Sequence, residues 1–250
     1  MPRSETEHRR WSYLIAGLLL IVLWQAISVL LNSIALPTPL TVFYAFIAGL
    51  KDDLLSHLLV SAARVGYGIV LALSLAVPLG LISYKKGADK IITPFIYLLY
   101  PIPHIVLLPL IILLFGIGDL SKVILIAIIV FFQILVTTRD AARNISTNYI
   151  YSLLSLGATD KDVYKHVVFP ACLPKILTAL RISIGTAIAV LFFVESFATR
   201  KGLGYLIMDS WSRMDYPDLY AAIVSMALLG FCLYVVLELV ERKVCAWVYV

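Results

Sequence analysis

The chain has 250 residues and a formal net charge of +5. It is 62% hydrophobic and only 14% charged, with a mean hydropathy of +0.98, against about 45–50% apolar and about 25% charged in soluble domains. These values exclude an ordinary soluble protein, and the lack of any Lys/Arg-rich block or large polar stretch excludes nucleic acid as a partner. The chain reads as one all-α polytopic membrane domain over 1–250. The cysteines, Cys172, Cys232 and Cys245, show no CxxC or Cys/His ligand spacing, so neither a disulfide nor a metal site is expected.

At about 20 apolar residues per passage, six spans are expected: Trp11–Leu31, Ala62–Tyr84, Ile91–Phe115, Leu120–Val136, Thr178–Ala198 and Leu219–Val240. The first follows a charged start, as a signal peptide would. It lacks a small-residue cleavage site and is long enough to span, so it reads as a retained helix. Six spans put both termini on one side. That side holds thirteen Lys and Arg, in 1–10, 85–90, 138–177 and 241–250, against five on the other, so both termini and the 138–177 loop are expected to be cytoplasmic.

Between the first two spans, Thr38 and Pro39 can start a short amphipathic helix on the outer surface. The second span spaces Gly68, Ala72, Ala76 and Gly80 four residues apart, and the fifth does the same with Ala179, Ser183 and Ala187, with Gly185 and Ala189 on a neighbouring face. Such stripes suit either packing within the bundle or a subunit seam. Arg64 can anchor to headgroups or pair with an acid. The third passage carries Pro94, Pro101, Pro103 and Pro109 and reads as a broken helix lining a pathway, or as a surface helix followed by a short kinked span.

Polar residues near a pathway are His104, Gln133, Ser183, Thr186 and Glu195. Glu195 stands near the outer end of its span, since an acid at the bilayer centre costs at least roughly 2–3 kcal/mol. It suits a structural role, accepting hydrogen bonds from the backbone of the Lys201–Tyr205 turn, or contact with substrate or gate. Gly202 and Gly204 supply that turn. There is no HExxH, GxSxG or GxxxxGK[ST] motif, so no enzymatic activity is expected of this chain and no cofactor on it.

The 139–175 loop is the one long polar insert. Within it Thr159-Asp160-Lys161-Asp162 has capping-box spacing, so Thr159 can start a helix through Val163, Tyr164 and Val167. Gly157 permits a sharp entry, and Pro170 and Pro174 are expected to stop the helix. About two turns of helix are marginal alone, and an exposed Val163 and Tyr164 would want a groove on a partner.

Gly157, nine residues, Val167, one residue, then Phe169-Pro170 resembles the signature loop of permease subunits of ATP-binding-cassette importers, which reads Glu-Ala-Ala, three residues, Gly, nine residues, Ile, one residue, Leu-Pro. Tyr151-Ser152-Leu153 stands where that pattern has Glu-Ala-Ala. LPTPLTV, SAARVGYGI, PIPHIVLLPLIILLFGIGDLSK, SLGATDKDVYKHVVFPACLPKILTALRISIGTA and VESFATRKGLGYLI resemble, in order, the branch serving nitrate, sulfonate, taurine and thiamine-precursor import. The resemblance implies a type I importer permease bundle in a bacterial or archaeal inner membrane. It implies a homodimer, a pair of ATPase subunits carrying ATP and Mg, and an external substrate-binding protein. It further implies ATPase docking by Leu156, Gly157, Ala158, Thr159, Asp160, Lys161, Asp162, Val163, Tyr164, Val167 and Pro170, with Leu156–His166 as a coupling helix. An ATPase-independent transporter or channel is the alternative, and would call for buried ion-coupling acids or inverted halves.

Overall fold

The computed structural model describes residues 3–197 and 199–248, with side chains from Ile15 onward. Among the described residues every regular element is helical. The first apolar run lies in α1, Arg3–Leu31, whose described apolar part is Ile15–Leu31. Trp24 and Ser28 of α1 donate to the carbonyls of Pro37 and Leu36, tying it to the next helix. That helix, α2 (Pro39–Lys51), starts as its sequence says, with the Thr38 hydroxyl accepting from the Thr41 amide and Pro39 in the first turn.

α3 (Leu54–Ile82), α6 (Asp119–Arg143) and α9 (Phe169–Glu195) form the core, followed by α11 (Tyr216–Val244). α6 is central: half of its most apolar stretch is buried, against 17% for α11. Large side chains such as Leu71, Leu79, Leu113, Phe231 and Val236 stay exposed, as suits faces that meet lipid or another chain. The Gly68-to-Gly80 stripe is spent inside this core. A Cβ on Gly68 would lie 2.6 Å from Ile126, and one on Gly80 2.6 Å from Thr138, so the stripe lets α3 close onto α6. Around Gly185 a Cβ would meet nothing within 4 Å.

Several expected spans change. Ala62–Tyr84 starts eight residues earlier, at Leu54, and Leu120–Val136 runs on to Arg143. Ile91–Phe115 is broken into α4 (Lys86–Leu99) and a segment from His104 that includes α5 (Leu108–Phe115), bent by 77°. Pro101 and Pro103 fall in the break, where each removes a backbone donor, while Tyr100 before Pro101 still closes the last turn of α4 in the α region. Among the described residues, four helices are individually long and apolar enough to cross a membrane, and the bent pair makes at most a fifth. Ile15–Leu31 is the described apolar part of α1, and the helix continues N-terminally from it to Arg3.

The largest correction concerns Pro170 and Pro174, which do not stop a helix. α8 (Asp160–Val163) passes through a π-turn at Tyr164–Val168 straight into α9, and Asp160–Glu195 is one 36-residue helix. The Phe169 amide reaches back five residues to the Tyr164 carbonyl. This wider turn leaves room for the Pro170 ring beside the preceding carbonyls, and Pro174 lies inside α9, which carries it at the loss of one donor. The expected end of this span, Ala198, lies outside the described residues.

Candidate functional site

The loop between α6 and α9 folds as a corner of two helices. α7 (Thr147–Ser155) begins at Ser146, whose hydroxyl accepts from the Asn148 amide, and ends at Leu156. The Gly157 amide donates to the Leu154 carbonyl and the Ala158 amide to the Leu153 carbonyl, with Gly157 at φ +87°. This is a Schellman end, and its left-handed residue explains the glycine. Two residues later the capping box is complete. The Asp162 amide donates to the Thr159 hydroxyl, and the Thr159 amide donates back to the Asp162 carboxylate at 2.9 Å. One helix is closed and the next opened within four residues.

Val163 and Tyr164 do not face outward as the sequence suggested, although the rest of the corner is largely exposed. Val163 is 1% exposed and packs with Leu81, Ala142, Val168, Cys172 and Ile176, with Tyr164 against them. Its helix phase points inward because the chain continues into the core helix α9. The exposed apolar groups are instead Tyr149, Tyr151, Leu154 and Leu156, the last 84% exposed. A Cβ on Gly157 would project into open space. Asp160 is held by Lys85 at 2.5 Å, and this carboxylate keeps the Lys85 ammonium above its ordinary range. Beside the corner Arg139 binds Asp89 and Thr93 of α4.

Of the polar residues expected near a pathway, the structure joins two: the Gln133 amide donates to the Thr186 hydroxyl at 3.1 Å, between α6 and α9. Ser183 is buried and donates to the Ala179 carbonyl of its own helix. The His104 ring stacks on Phe132 at 4.6 Å between centroids. Glu195 stands apart, at the far end of α9.

There Glu195 is fully buried and both its oxygens are occupied. Arg64 donates to it at 2.7 Å, Ser61 at 2.9 Å, and the Gly204 amide at 2.9 Å. Arg64 also binds Asp119 and the Lys201 carbonyl, so of its two possible roles it takes the pairing with acids. His57 and Ser61 meet the turn before α10 (Leu203–Ser212) from α3, accepting from the Gly202 and Leu203 amides. Gly202 has φ +118°, and a Cβ there would lie 2.3 Å from the Glu195 carboxyl carbon. Removing one partner from a buried ion pair costs about 3–5 kcal/mol, so this cluster holds α3, α6 and α9 together.

Residues 68–245 match the family of binding-protein-dependent transport system inner membrane components. The chain belongs to this family. It is 30% identical, over 98% of its own length and 91% of the relative's, to a provisionally named aliphatic sulfonates transport permease of Bacillus subtilis. It is 29% identical to the taurine transport system permease of Escherichia coli, over 92% and 87% of the two chains. A chain of the MetNI methionine ABC transporter, in inward-facing form, shares its fold with a TM-score of 0.66 at 17% identity, covering 78% of this chain and 98% of that one. As a member of this inner membrane component family, the chain is a transport permease.

The family match takes in the corner and Glu195 but begins after Arg64. Sequence reasoning missed α7 and the union of Arg64, Asp119 and Glu195. Ser146 before Thr147 was a usable signal for α7, whereas partners 55 and 131 residues apart leave no local trace.

Proposed function

We propose that the chain is the permease subunit of an ATP-driven importer, and that the corner at Gly157 receives a separate ATPase subunit. The carrying observation is that Leu156, Leu154 and Tyr151 stay exposed beside a backbone closed by its own caps. The caps fix the shape of the backbone, so contact there is made chiefly by apolar side chains and by the space Gly157 leaves open. ATP and Mg belong to the partner. On this reading both termini and the corner are cytoplasmic, the Glu195 end faces outward to a substrate-binding protein, and a second copy covers faces such as that around Gly185.

The named relatives point to a small sulfonate-like solute. An ATPase-independent carrier would need an acid that gains and loses a cation, whereas Glu195 is committed to Arg64, Ser61 and Gly204. The test is co-purification with the ATPase and uptake in vesicles. Gly157→Trp is expected to abolish both, and unchanged association and uptake would overturn the docking role. Transport by the reconstituted chain without any ATPase would decide for the alternative.

A further inference from the structure

At the Glu195 end a cavity of about 600 Å³ opens between the start of α6 and the segment 199–201, lined by Val60, Arg64, Asp119, Lys122, Arg200 and Lys201 among others. Its charges do not balance. Arg64 is spent on Asp119 and Glu195. Lys122 is 3% exposed, yet it donates only to the carbonyls of Ile117 and Gly118, at 2.8 and 3.1 Å. Among the described residues no carboxylate lies within ion-pair distance of Lys122, Arg200 or Lys201. Four cations thus surround two acids, both already held by Arg64.

An ammonium buried with no carboxylate in contact is costly, Asp119 and Glu195 acting on Lys122 only through space, and Lys122 keeps one N–H beyond its two carbonyls. α6 begins at Gly118 with no side-chain cap, so its first amides add positive potential at the same wall. We propose that this cavity is a binding site for an oxoanion, a sulfonate, sulfate or phosphate group held by Lys122, Arg200 and Lys201. Arg64 shapes the site through its bond to the Lys201 carbonyl and does not itself bind the anion. Only its outward position rests on the proposed orientation; binding itself requires no ATPase.

The test uses the full chain in nanodiscs. In phosphatidylcholine discs, sodium sulfate at constant ionic strength is expected to raise the unfolding temperature saturably, where chloride does not. Lys122→Met should abolish the response, and the exposed double variant Arg200→Ala/Lys201→Ala, which leaves the buried cluster intact, should weaken it at least tenfold. A response to phosphatidylglycerol discs but not to sulfate would assign the anion to a lipid headgroup, and a response to sulfate assigns it to a solute. If neither probe acts, or if both variants respond like the parent, the site does not exist. A failed uptake experiment leaves these readings untouched.

Discussion

The two ends of the molecule solve the problem of polar groups beside a membrane in opposite ways. At the Glu195 end, the acid, Arg64, Ser61 and the amides of Leu203 and Gly204 satisfy one another across α3, α9 and α10. At the corner the backbone bonds to itself within one short stretch, through a Schellman end and a capping box, and Tyr151, Leu154 and Leu156 are left outside. The first arrangement binds the chain to itself. The second is fixed in shape but leaves apolar side chains exposed, the contrast on which the proposed docking role rests.

Breaking the internal cluster should have the largest effect. Glu195→Ala leaves Arg64 buried with a single acid and is expected to cost about 3–5 kcal/mol, read as a lowered unfolding temperature in detergent. Arg64→Met combined with Glu195→Met should recover a large part of that loss, since no buried charge is then stranded and Asp119, the other acid on Arg64, is 71% exposed. An additive double variant would mean that the two residues act separately.

Gly202→Ala comes next. Its φ of +118° and ψ of 160° lie where only glycine sits without a penalty of about 1–3 kcal/mol, and its Cβ would strike Glu195. A stable Gly202→Ala protein would show that the turn can withdraw from the acid.

Substitutions at the corner should cost less stability and more partnership. Gly157→Ala, placed in open space, is expected to lose roughly 1 kcal/mol from its left-handed backbone and to keep its ATPase, unlike Gly157→Trp. The smallest change is Thr159→Ala. Losing that cap costs about 1 kcal/mol, and it should appear chiefly as faster amide exchange over 160–163.

Much of this contrast was legible locally. Thr38-Pro39, Thr159 with Asp162, and Gly157 each fix backbone geometry through neighbours within a few residues, so their sequence spacing carried the geometry. The same rule failed at Pro170, where the turn Tyr164–Val168 widens, and at Pro174, which α9 carries as α3 carries Pro78, because one lost donor inside a long packed helix does not end it. Val163 was misplaced for a related reason: its facing depends on α9, which the expected break had detached. Arg64 left two roles open in the sequence, and only the approach of α6 and α9 to α3 selects between them.

The unbroken course from Asp160 to Glu195 makes one lever of the two ends. Its 36 residues measure about 54 Å at 1.5 Å per residue, with the corner at one tip and the carboxylate that grips Arg64 at the other. A tilt imposed at the corner therefore reaches the far ion pairs without crossing any loop. The single wide turn, Tyr164–Val168, sits close to the corner, so whatever slack the lever has lies at that tip and not at the ion pairs.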